Sequence, residues 1–71
     1  MDNYDVYTKA SERLELLDRK YTSLEVIYHQ RDSLELSDEL VVAIVTELGA
    51  IADEASDLSI VKNDALNLSY Y

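Results

Sequence analysis

The sequence predicts an all-α protein: an antiparallel two-helix hairpin of coiled-coil character that assembles into a helical bundle. Three observations lead there. Two stretches place apolar residues at alternating steps of three and four, the spacing of a heptad seam. Proline is absent and Gly49 is the only glycine, so an all-β fold would lack the residues its turns require. The chain has 71 residues, 48% of them apolar, which suits one small domain and not two.

The first stretch runs Tyr7, Ala10, Leu14, Leu17, Tyr21, Leu24, Tyr28. Asp2 and Asp5 stand where an N-cap or a first-turn acid belongs. Asp5 with Lys9 and Glu15 with Arg19 are acid-first pairs one turn apart, the favourable orientation. These features predict a helix over 4–31. A short connection over 32–37 follows, and short connections join antiparallel neighbours.

The second stretch runs Val41, Ile44, Leu48, Ile51, Ala55, Leu58. Ser37 is a suitable N-cap, with Asp38 and Glu39 in the first turn. This predicts a helix over 38–62. Beyond Leu58 the apolar series continues as Val61, Ala65, Leu68, with a step of three that would overwind the seam. Residues 63–71 either extend the helix or leave it near Asn63-Asp64. Tyr70 and Tyr71 end the chain as a docking tail or a frayed end.

Flanking positions set the register. If the helices are antiparallel, the residues just before each first seam position face one another. Arg13 then faces Glu54, Lys20 faces Glu47, and Ile27 faces Leu40. Two opposite charges and one apolar pair share a single register, which fixes orientation more than it adds stability.

The second helix is apolar over a wider arc than the first, because Val45 and Ala52 extend its seam. A wide stripe faces more than one neighbour. Leu40, Val42 and Val45 join Val26, Ile27, Leu34 and Leu36 at the loop end, where one hairpin cannot bury them all. These residues, with Ala52, form the candidate interface: Val26, Ile27, Leu34, Leu36, Leu40, Val42, Val45 and Ala52.

Composition narrows the function. No cysteine is present and His29 is the only histidine, so disulfides, thiolate sites and His-rich metal sites are excluded. A chain this small then draws further stability from self-association or a partner. The net charge is −9, and all but one unit lies in residues 32–71, where Lys62 is the only base. Direct binding to nucleic acid or to an anionic membrane is disfavoured. The longest apolar run, Leu40 to Val45, is far shorter than the ~20 residues of a membrane span. The N-terminus lacks the basic start and apolar stretch of a signal peptide, so a cytoplasmic location is the expectation.

Little in the chain suggests chemistry. Glu25 and His29 lie one turn apart, and a solvated surface histidine accounts for that spacing. Asp53, Glu54 and Asp57, with Glu12 and Glu15 opposite, resemble a carboxylate set for magnesium. The register directs Glu54 at Arg13 and turns Asp53 outward, so a solvated acidic face is favoured. No catalytic, cofactor or metal residues are assigned, and the protein is expected to be no enzyme. Three of the six tyrosines, Tyr7, Tyr21 and Tyr28, fall in the seam and read as core.

In topology alone the plan resembles plasmid-copy-control RNA-binding hairpin dimers and small acidic secretion-system co-chaperones. The first group needs a basic face that residues 32–71 do not offer. The expectation is a protein-interaction module, homo-oligomeric or with a protein partner, in a co-chaperone, antitoxin, immunity or inhibitor role. The alternative is a DNA mimic, in which Glu47, Asp53, Glu54, Asp57 and Asp64 imitate phosphates. A magnesium-dependent all-α phosphohydrolase ranks below both.

Overall fold

The computed structural model describes residues 2–68 as two helices, α1 (Asn3–His29) and α2 (Asp38–Leu68), folded back on each other. The fold is the all-α hairpin the spacing predicts. It forms a rod of 53 × 16 × 15 Å.

Asp2 caps α1, its carboxylate accepting from the Asp5 backbone N–H at 2.8 Å. The Ser37 hydroxyl likewise accepts from the Leu40 N–H at 3.2 Å and starts α2. Each cap satisfies a backbone donor that the first helical turn leaves free.

α1 ends at His29, two residues before the expected end. Arg31 closes that end. Its guanidinium donates to the Tyr28 carbonyl at 2.9 Å and stacks 4.3 Å from the Tyr28 ring centre. A terminal carbonyl is thereby satisfied from outside the helix. The chain then turns through backbone bonds from Leu34 to Gln30 and from Leu36 to Arg31. Glu35 takes the left-handed conformation, φ 54°, in a loop that contains no glycine.

Every seam position predicted for α1 is buried or half-buried, as is each from Val41 to Leu58 in α2. Ala10, Leu17, Ile51 and Ala65 are the most enclosed among the described residues. Beyond Leu58 the expected series holds at Ala65 and fails at Val61 and Leu68. α2 stays helical to Leu68, and its seam runs through Lys62 and Ala65 rather than through Val61 and Leu68. Val61 is 43% exposed and Leu68 58%, whereas Ala65 is 4% exposed. The heptad therefore continues without the overwinding step. Lys62 occupies a core-facing position because its four-carbon stem packs like an apolar side chain. Its ammonium lies 5.3 Å from the centre of the Tyr7 ring. A count of apolar residues alone passes over a lysine used this way. The expectation for Tyr70 and Tyr71 falls outside the described residues.

Candidate functional site: the two flanks of the hairpin

The two long edges where α1 meets α2 differ in how far their side chains are partnered. On one edge Arg13 bridges to Glu54, with Nε donating to Oε1 at 3.0 Å and Nη2 to Oε2 at 3.3 Å. This two-pronged contact fixes the register. One heptad along, Lys20 and Glu47 line the same apolar-floored groove with Leu24 and Ile51. They form no ion pair within 4.0 Å, so only one of the two expected charge contacts closes. Ile27 and Leu40 take the next step of the same register, at the loop end.

The other edge is unfinished. Asp18 of α1 and Ala52 of α2 stand at the lips of a groove of about 380 Å³, floored by Leu17, Tyr21 and Ile51. One heptad toward the loop, the same register sets Glu25 opposite Val45. Here acids face alanine and valine, so neither member of a pair satisfies the other. No lysine or arginine belongs to the flanking line of either helix on this edge. One heptad the other way, the Ser11 hydroxyl is buried with no hydrogen-bond partner.

The apolar surface continues outward over α2. Val42 is 63% exposed and Val45 49%. Ala43, Thr46, Gly49, Ala50 and Ala52 are exposed around them. No charge interrupts this arc from Val42 to Ala52 except Glu47, which belongs to the opposite edge. A Cβ added at Gly49 would meet nothing within 4 Å, so nothing in the hairpin approaches that backbone.

Of the eight interface candidates, Val26, Ile27, Leu34, Leu40, Val42, Val45 and Ala52 are exposed, and Leu36 is half-buried in the loop. Val42, Val45 and Ala52 share the outer arc of α2, while Ile27 and Leu40 share the Arg13 edge. Sequence reasoning missed the exposed Tyr4, Ile60 and Leu66 toward the open end, and it placed in the seam Val61 and Leu68, which are exposed. For Val61 the signal was present, because the Arg13–Glu54 register carried one heptad back sets it opposite Val6 on the flank.

The acids do not gather. Among the described residues, no three His, Asp or Glu side chains are grouped as a metal site requires. Glu54 is held by Arg13, and Glu15 by Arg19 at 2.8 Å. His29 is exposed and meets Tyr28 edge-on, 5.9 Å between ring centres. No described helix is long and apolar enough to cross a membrane. Comparison with protein-family models, curated proteins and solved structures finds no match.

Proposed function

We propose that this protein is a non-enzymatic protein-interaction module that works by helix–helix association, and that its working surface is the outer arc of α2. The observation that carries this is the uncharged arc Val42–Val45–Gly49–Ala52 on an otherwise acidic helix. Charged residues dominate the solvated faces of helices that pack on one side only, and this arc has none.

The surface area supports the same reading. A folded monomer of this mass exposes about 4,500 Å² by the usual scaling. The hairpin exposes 5414 Å². Much of the excess comes with the rod shape of a two-helix hairpin, and the apolar outer arc is part of the area a partner would cover. Co-chaperone, antitoxin, immunity and inhibitor roles all use such a surface.

A photo-crosslinking residue placed at position 42 or 45 tests the proposal. Adducts to protein should form in the native cell from these positions and not from position 57, on the acidic side of α2. Equal yields from all three positions would count against the arc as the working surface. A DNA-mimic role would instead crosslink a nucleic-acid-binding protein from position 57.

A further inference from the structure

Building on that reading, we infer that the occupant of this surface is a basic amphipathic helix of another protein, docked along the edge where Asp18 faces Ala52 and Glu25 faces Val45. The two edges carry the inference by contrast. On the Arg13 edge the cations come from α1 and the acids from α2, so charge is matched within the hairpin. On the Asp18 edge each acid stands beside an apolar residue of the other helix. A third chain completes both kinds of position at once if it sets apolar side chains on Val45 and Ala52 and cations against Asp18 and Glu25. A helix with an apolar stripe bordered by Lys or Arg has that pattern. The groove between Asp18 and Ala52 is floored by apolar side chains and open at its lips, and would take one large apolar side chain from it.

A second copy of this chain fits poorly. Each copy carries a net charge of −9. Arg13 and Arg19 are held in ion pairs, while Arg31 and Lys62 sit over tyrosine rings. Among the described residues only Lys9 and Lys20 remain uncommitted, and neither lies on the Asp18 edge. Two copies meeting through this edge would bring both sets of Asp18 and Glu25 to one interface with no lysine or arginine there to meet them, and like charges at an interface cost affinity.

The test uses the full chain and three synthetic peptides read by fluorescence anisotropy. One is an amphipathic helix with a leucine stripe bordered by lysine. The second carries glutamate in place of lysine. The third has the lysine and leucine of the first in scrambled order. The first should bind at least about tenfold more tightly than either control, because orientation as well as charge is required. Asp18→Asn with Glu25→Gln should weaken it about fivefold and flatten its salt dependence. Val45→Ser should weaken it too, whereas Glu47→Gln on the opposite edge should not.

Equal binding of the scrambled peptide, or indifference to the Asp18 and Glu25 changes, would overturn the inference. So would sedimentation equilibrium showing the chain alone to be a dimer that Val45→Ser dissociates. That last outcome would leave the helix-association surface standing with a different occupant. Crosslinking from position 45 no stronger than from position 57 would remove the surface itself.

Discussion

Arg13 and Glu54 are 41 residues apart in sequence and meet through two hydrogen bonds across the hairpin. The pair is half-exposed, with side chains 42% and 45% accessible, so its energy is modest while its geometry is specific. In a double-mutant cycle the coupling of Arg13 with Glu54 should be about 0.5–1 kcal/mol at low salt. The Lys20–Glu47 coupling should be smaller, since that pair does not close. Urea denaturation of the single and double charge reversals measures both, and equal couplings would contradict the contact pattern.

Lys62 occupies a seam position that an apolar residue would fill more favourably. A polar residue in a seam fixes register at some cost in stability. Its contact with Tyr7 recovers about 0.5–1 kcal/mol. Lys62→Leu should therefore raise the unfolding free energy by about 1 kcal/mol through added apolar burial. Lys62→Asp should lower it. Thermal melts followed by circular dichroism decide between these outcomes and a neutral surface lysine.

Gly49 has open space where a side chain would be. Gly49→Ala should stabilise the isolated hairpin by about 1 kcal/mol, the usual gain from replacing glycine inside a helix. If a partner backbone comes close at Gly49, the same change should weaken binding. Gains in both stability and affinity would show that no close approach occurs there.

Glu35 holds a left-handed backbone conformation that costs a non-glycine residue about 1–2 kcal/mol. Glu35→Gly should recover part of that cost, about 0.5–1 kcal/mol after the extra chain entropy of glycine. The urea midpoint should rise with an unchanged slope.

Val42→Glu separates folding from association. Val42 lies outside the hairpin seam and is exposed, so the change should move the isolated chain's stability by no more than about 0.5 kcal/mol, as surface substitutions do. Binding through the outer arc of α2 should be lost. A collapse of the helical signal in the isolated chain would mean that Val42 supports the hairpin itself.

The sequence by itself determined the hairpin. Heptad spacing from Tyr7 to Tyr28 and from Val41 to Leu58 fixes which faces meet. The caps Asp2 and Ser37 fix where the helices start, and the Arg13–Glu54 match fixes how they slide. The spacing and the caps follow from helical periodicity and local hydrogen bonding, and the register follows from matching one heptad pattern against the other. Where local rules met distant partners, the tertiary structure decided. Lys62 joins the seam because Tyr7, on the other helix, offers its ring. Val61 and Leu68 turn outward because the heptad continues past Leu58 unbroken. The contrast between the edges follows from the same heptads, which set Asp18 and Glu25 opposite Ala52 and Val45; only the tertiary structure shows the groove left open between Asp18 and Ala52 and the Ser11 hydroxyl buried without a partner.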